Sequence, residues 1–105
     1  MIIQMTHHAK EERLDRLAEC VTVLGMGKIV VQAKDSRYPG TVRQLTATGI
    51  MLVFEEDTDK LITGYMATVA QMYCIYRQAN IEYIPPKIYN RVHKNNSKFS
   101  YLAEF

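Results

Sequence analysis

The chain has 105 residues, of which 48% are hydrophobic and 23% are charged, and its formal net charge is only +2. This length is typical of a single core, so we expect one domain over residues 1–105. The mild, mixed charge excludes tight binding to nucleic acid through net charge alone. Acidic residues concentrate at positions 55–59 and basic residues in the tail, so we expect one end of the molecule to be basic.

Residues 6–24 have the spacing of an amphipathic helix. The apolar residues that recur every three or four positions are Leu14, Leu17, Val21 and Leu24. Charged residues occupy the remaining sides of the same segment, as on a helix that packs one face against a core. Thr6 is the expected N-cap.

Residues 28–46 predict a β-hairpin. Alternation over residues 28–34 places Ile29, Val31 and Ala33 towards a core, with Gln32 and Lys34 on the opposite face. The segment 35–40 is rich in turn-forming residues, and residues 41–46 return as the paired strand.

A second hairpin follows, so we expect a four-stranded antiparallel sheet. Residues 50–54 and 60–66 form its strands, and the acidic residues 55–59 form its turn. Alternation places Leu61, Thr63 and Tyr65 on one face, with Ile62 and Met66 on the other. A glycine at position 64 predicts a bulge or a close approach of another group to the backbone.

The C-terminal third predicts helical segments. Residues 68–80 fit a helix, although residues 73–76 would also suit a strand, and we favour the helix. Pro86 is expected to begin a short helix over residues 87–94 that ends at Asn95 and Asn96. The fold class predicted for the chain is therefore α+β, with an N-terminal amphipathic helix, the sheet and C-terminal helices.

The cysteines predict neither a metal site nor a cofactor site. Cys20 and Cys74 lie in separate apolar segments without the spacing of a zinc ligand set, and we expect buried, reduced thiols. The short apolar start is expected to be neither a signal peptide nor a membrane span. A cytoplasmic location and no membrane partner are the resulting expectations.

Two adjacent histidines open the first helix. The positive end of the helix dipole disfavours an imidazolium at His7 or His8, and a neutral imidazole there can act as a general base. The alternative is a solvated histidine near a helix terminus. Joint metal binding is not expected, because adjacent side chains diverge by roughly 100° around a helix.

Several basic residues follow on the helix and near the first hairpin. If the helix packs across the sheet, some of them converge with Thr63 and Tyr65, and cations of this kind stabilise the charge that develops on a phosphodiester. The alternative is an ordinary solvated surface, where most lysines and arginines lie. The residues in question are Lys10, Arg13, Arg16, Lys34, Arg37 and Arg43.

The order His-His-Ala-Lys-Glu-Glu-Arg on an opening helix, then short strands, then Lys-Leu-Ile-Thr-Gly-Tyr on a late strand, resembles the barnase/EndoU/colicin/RelE-like ribonucleases. These are small metal-independent enzymes, many of them toxins or phage and mobile-element proteins. The resemblance covers about residues 6–76. It implies His8, Thr63 and Tyr65 as catalytic residues. It also places Lys10 and Arg13 on the helix side of the site. Together with the neighbouring histidine and the candidate cations of the first hairpin, the predicted substrate-binding residues are His7, Lys10, Arg13, Lys34 and Arg43.

This sequence departs from the family pattern in lacking a second histidine in the strands, since His93 lies in the tail.

Three hypotheses for the function therefore stay open. The first is a ribonuclease acting on RNA phosphodiesters, and the second is a non-catalytic phage or mobile-element regulator that binds a host protein. The regulator would use a surface around Met66, Met72, Tyr73 and Tyr76. The third is a nucleic-acid binding module that uses residues 87–98, with Tyr89 or Phe99 stacking on bases.

Overall fold

The computed structural model describes residues 7–103 of the chain, and the side chains of residues 14–103. The elements in chain order are α1 (His7–Leu24), β1 (Ile29–Lys34), β2 (Thr41–Thr46), β3 (Ile50–Glu55), β4 (Leu61–Met66), α2 (Val69–Gln78), α3 (Pro86–Lys98) and a 3₁₀ turn (Ser100–Leu102). The four strands form one sheet in the order β1-β2-β3-β4, with every neighbouring pair antiparallel. The predicted α+β class is confirmed.

Helix α1 packs on one face of the sheet. Its buried side chains Leu17, Cys20 and Leu24 form a core with residues of β3 and β4, including Leu52 and Met66. Leu14 belongs to the predicted apolar stripe but is 47% exposed, so it lies outside this core.

Gly64 explains how α1 approaches β4 so closely. A Cβ atom at this position would lie 2.6 Å from Cδ1 of Leu17 and 3.1 Å from Cδ2 of Leu52. The close approach predicted for Gly64 is therefore confirmed, because a larger residue would meet the helix side chain.

Helix α2 packs on the opposite face. Its buried residues Met72, Ile75 and Tyr76 contact a second core that includes Leu45 and Met51 of the central strands. The helical interpretation of residues 68–80 is confirmed. Thr68 begins the helix with a capping box, in which its side chain accepts from the backbone of Gln71 and the Gln71 side chain accepts from the backbone of Thr68.

A bulge at Ile62 corrects the face predicted for Leu61. Val53 pairs with Thr63, but Phe54 pairs with Leu61, so Ile62 is an extra residue in β4. Leu61 therefore packs with Phe54 in the core under α1, whereas Thr63 stays on the face under α2.

The first strand also departs from simple alternation at its start. The pairing of β1 with β2 is irregular between Ile29 and Val31. Val31 and Ala33 are buried as predicted, but Ile29 is 43% exposed. The irregularity leaves Ile29 outside the alternation that the rest of the strand follows.

Helix α3 is longer than predicted because the two asparagines expected to end it bond to distant loops. The Nδ2 group of Asn95 donates to the Thr48 carbonyl over 2.8 Å, and that of Asn96 donates to the Ala67 carbonyl over 2.8 Å. The Asn96 Oδ1 atom also accepts from the Val69 backbone. These bonds tie α3 to the β2–β3 turn and to the start of α2, and the helix continues to Lys98.

Within residues 7–103, no helix is both long and apolar enough to cross a bilayer.

Candidate nucleic-acid interface

Thr63 and Tyr65 lie on the sheet face that α2 covers. They are 6% and 7% exposed. Tyr65 is part of the same core as Met72 and Ile75, whereas α1 packs on the other face through Leu17. The sheet therefore separates Thr63 and Tyr65 from the part of α1 whose side chains are described. The two residues and this part of α1 do not share an open surface.

The helix side of the predicted catalytic site lies outside the described side chains. Residues 7–13 form the first turns of α1, and the side chains of His7, His8, Lys10 and Arg13 are among those on which the structure gives no information. Their predicted roles in base catalysis and phosphate binding stay predictions.

Arg43 is enclosed between the sheet and α2. Its side chain is 2% exposed, and its Nε atom lies 3.5 Å from Oδ2 of Asp35. Its Nη2 group donates to Oε1 of Gln78 over 2.5 Å and contacts Sγ of Cys74 at 3.5 Å. Burial alone would lower the pKa of Arg43, but the contact with Cys74 and the charge of Asp35 hold it above its ordinary value. The guanidinium is thus buried among internal groups and is not exposed to a phosphate in solvent.

Lys34 is exposed but already paired. Its Nζ atom lies 2.7 Å from Oε1 of Glu56, and this hydrogen bond raises the pKa of the lysine. The pair lies beside the acidic β3–β4 turn, in a shallow cavity that also includes Glu55 and Asp59. An anion would meet a negative surface here, so the predicted contact between Lys34 and phosphate has little electrostatic support.

The cations of α3 are in a different setting. Lys87, Lys94 and Lys98 are exposed, and the helix contains no acidic residue. The two ion pairs found among residues 14–103 involve Lys34 and Arg43, and neither involves a lysine of α3. By contrast, Arg91 is held in place, since its Nη2 group donates to the Leu24 carbonyl at the end of α1 over 3.0 Å.

Aromatic side chains line the other flank of α3. The rings of Tyr89 and His93 are 4.3 Å apart at 42°, and Tyr73 of α2 meets Tyr89 edge-on at 6.3 Å. We call these three residues the aromatic cluster. A hydrogen bond between the two tyrosines raises the pKa of Tyr73. All three residues are exposed, so their rings are accessible to a ligand from solvent.

The sequence predicted this surface in part. Tyr89 is accessible as expected, whereas Phe99 is half-buried in the core under α1 and has the Lys98 ammonium 5.5 Å from its ring. His93 was not assigned a role, although its spacing of four residues from Tyr89 places both on one side of a helix. Tyr73 joins them only through the docking of α2 against α3, which local spacing does not reveal.

The predicted Met- and Tyr-rich surface of the regulator hypothesis does not exist as such. Met66 and Met72 are completely buried, and Tyr76 is 4% exposed. These residues form cores on the two faces of the sheet, so only Tyr73 of the four lies on the surface.

A groove adjoins the aromatic cluster at the C-terminal end of α2. Its volume is about 500 Å³, and the residues that line it are Tyr73, Tyr76, Arg77, Asn80, Ile81, Glu82 and Ile84. The chain reverses here because Asn80 has a positive φ of 59° and the Ile81 backbone donates to the Tyr76 carbonyl over 2.9 Å. This is the helix ending in which a left-handed residue follows the C-cap.

The comparisons with known proteins do not add a relative. No family model, curated protein or solved structure matches the chain. The resemblance to small ribonucleases therefore depends only on a few spaced residues of the opening helix and of the strand that carries Thr63 and Tyr65.

Proposed function

We propose that this protein is a binding module for single-stranded nucleic acid, with RNA as the first ligand to test and α3 as the main contact. The observation that carries the proposal is the division of one exposed helix surface into a cationic flank and an aromatic flank. At about 100° per residue, the mean direction of Lys87, Lys94 and Lys98 lies roughly 140° from that of Tyr89 and His93. The exposed face of α3, with Asn90 and Ser97, lies between the two flanks.

This arrangement matches the two chemical parts of a nucleic-acid strand. Phosphates are attracted to ammonium groups, and unpaired bases stack on aromatic rings. Along the axis, Lys94 and Lys98 are separated by about 6 Å and Lys87 and Lys94 by about 10 Å, at a rise of about 1.5 Å per residue. A strand lying along α3 can therefore place phosphates near the three lysines while its bases reach the aromatic cluster.

The surrounding charge supports the same ligand. Residues 69–98 contain five basic side chains, Arg77, Lys87, Arg91, Lys94 and Lys98, and one acidic side chain, Glu82. The net charge of the whole chain is small because the acids concentrate elsewhere, in particular in the β3–β4 turn. The potential that a ligand meets at α3 is therefore more positive than the total charge suggests.

The first test is the salt dependence of binding to labelled single-stranded RNA and DNA, measured by fluorescence anisotropy. Three phosphate contacts predict a slope of about −2 for log affinity against log salt, from about −0.7 per contact. Replacing two lysines, Lys94→Gln with Lys98→Gln, is expected to weaken binding and reduce the magnitude of the slope by about 1.4.

A matched control distinguishes the effect of the α3 lysines on binding from the effect of the net charge of the protein. Lys28→Gln with Lys60→Gln removes the same charge from exposed positions outside α3 and is expected to leave the slope close to that of the parent. Replacing an aromatic residue, Tyr89→Ala, is expected to cost about 1–3 kcal/mol of binding free energy through lost stacking. Salt-independent binding, or equal weakening by both lysine pairs, would contradict the proposal.

The ribonuclease hypothesis is tested on the same RNA. Intact RNA after incubation with and without divalent metal, together with unchanged behaviour of His8→Ala and Thr63→Ala, would exclude it. Cleavage that either substitution abolishes would instead make the α3 surface the substrate-holding part of an enzyme.

A further inference from the structure

The groove at the end of α2 is continuous with the aromatic cluster. Tyr73 belongs to both, since its ring contacts Tyr89 and also lines the groove. A strand that follows α3 therefore has a concave site beside it, and the groove volume of about 500 Å³ lies within the usual range for small-ligand pockets.

The chemistry of the groove differs from that of the rest of this surface. Glu82 is the only acidic residue between Val69 and Lys98. A carboxylate next to a bound strand repels phosphates, so at this position it lowers affinity unless hydrogen-bond donors of the ligand meet it. The Watson–Crick edge of a base is where such donors are found in an unpaired strand.

Among the common bases, guanine alone presents two adjacent N–H donors on that edge, N1–H and the N2 amino group. An ionised carboxylate accepts two such bonds side by side. Adenine and cytosine offer the amino group without a neighbouring ring N–H donor, and uracil offers a single ring N–H. Two other polar side chains of the groove, the Arg77 guanidinium and the Asn80 amide, can supply donors for the guanine O6 atom or for its phosphate.

We propose that this groove holds a guanine base of the bound strand, stacked against Tyr73 and hydrogen-bonded through N1–H and N2–H to the Glu82 carboxylate. This inference rests on the proposed function, because the strand brings the base to the groove. It makes the protein selective for single-stranded segments that contain guanine.

The test compares three uridine-rich RNA strands that differ at one central position, which is guanosine, inosine or adenosine. Inosine keeps N1–H but lacks the N2 amino group. The parent protein is expected to bind the guanosine strand roughly tenfold or more tightly than the adenosine strand, with inosine between them. Glu82→Gln is expected to bind the three strands with similar affinity while retaining salt-sensitive binding to all of them.

The matched control is Glu56→Gln, which removes one negative charge at the β3–β4 turn and is expected to keep the preference for guanosine. Glu82 is exposed, and the melting temperature of Glu82→Gln shows whether this variant folds like the parent. Equal affinity of the parent for all three strands, or a preference that survives Glu82→Gln, would overturn the guanine site and leave the strand-binding function standing. Failure of the parent to bind any strand would overturn both.

Discussion

Arg43 is the residue on which the junction of the sheet with α2 depends most directly. It is 2% exposed, lies 3.5 Å from the buried carboxylate of Asp35, and donates to Gln78 of α2. Replacement by methionine keeps much of the side-chain volume but leaves the Asp35 carboxylate without its cation. We expect Arg43→Met to lower the free energy of unfolding by about 3–5 kcal/mol, measured by urea denaturation.

Two further variants test whether this loss of stability comes from the uncompensated charge of Asp35. Asp35→Asn combined with Arg43→Met is expected to recover part of the stability, because the uncompensated buried charge is removed while the amide oxygen still accepts from the Arg37 backbone. Lys34→Met breaks the exposed pair with Glu56 and is expected to change stability little. If Arg43→Met proved as mild as Lys34→Met, the junction would not depend on this ion pair.

The Cys20 thiol and the Tyr76 hydroxyl are buried weak acids, and we expect their burial to make the protein less stable at alkaline pH. Burial raises the pKa of the Cys20 thiol above its ordinary 9.0 and that of the Tyr76 hydroxyl above 10.0. Because the folded state holds these protons more tightly than the unfolded state, their stabilisation is complete below about pH 9. It is lost as the pH rises from there through the folded pKa values.

The measurement is the free energy of unfolding between pH 8 and pH 11. Each group contributes a slope of at most about 1.4 kcal/mol per pH unit within its range. Tyr76→Phe keeps the ring in the core and is expected to make the decline above pH 10 shallower. A decline as steep as that of the parent would assign the effect to other groups.

For single residues, the sequence identifies candidate side chains by their chemistry, but it does not reveal their burial or their partners. Arg43 and Lys34 were both candidates for phosphate binding, yet one is buried against Asp35 and the other is exposed beside Glu56. The difference arises from α2, which covers the face that Arg43 shares with Thr63, and this long-range contact leaves no local pattern. Tyr89 was identifiable because exposure on a polar helix follows from its own neighbours.

At the scale of elements, Gly64 controls the distance between α1 and β4. A methyl group there would lie 2.6 Å from Leu17 Cδ1, and we expect Gly64→Ala to destabilise the protein by about 1–3 kcal/mol in urea denaturation. The double-mutant cycle with Leu17→Val provides the control. The two substitutions are expected to be less destabilising together than the sum of each alone, because the shorter side chain makes room for the methyl group. Strict additivity would contradict the contact.

Most elements could be predicted because their evidence is local. The apolar spacing of α1, the turn residues between strands and Pro86 at the start of α3 each lie within a few positions of the feature that they determine. The bulge at Ile62 depends on how β4 pairs with β3, and the length of α3 depends on loops 27–29 residues away in the chain that bond to Asn96. These features become visible only when the elements are assembled.

At the scale of the whole molecule, the basic surface is built around an anchored helix. Asn95 is 1% exposed and donates to the β2–β3 turn, while Arg91 caps the end of α1. The exposed lysines of α3 therefore project from a fixed support instead of a loose tail. The sequence predicted a basic end, and the structure shows what holds it against the rest of the fold.

The bond between Asn95 and Thr48 also sets the position of α3 relative to the acidic β3–β4 turn. It places α3 against the turn that precedes β3, whereas the acidic turn follows β3, about 17–20 Å further along a strand of this length. Among the described residues, the acidic turn and the lysines of α3 therefore form a dipole whose negative end is separated from α3 by the length of a strand. A polyanion attracts the positive end of this dipole and repels the negative end, so the protein rotates to face the polyanion with α3 before the two make contact. Because salt screens this interaction, the fraction of encounters in this orientation is largest in dilute salt.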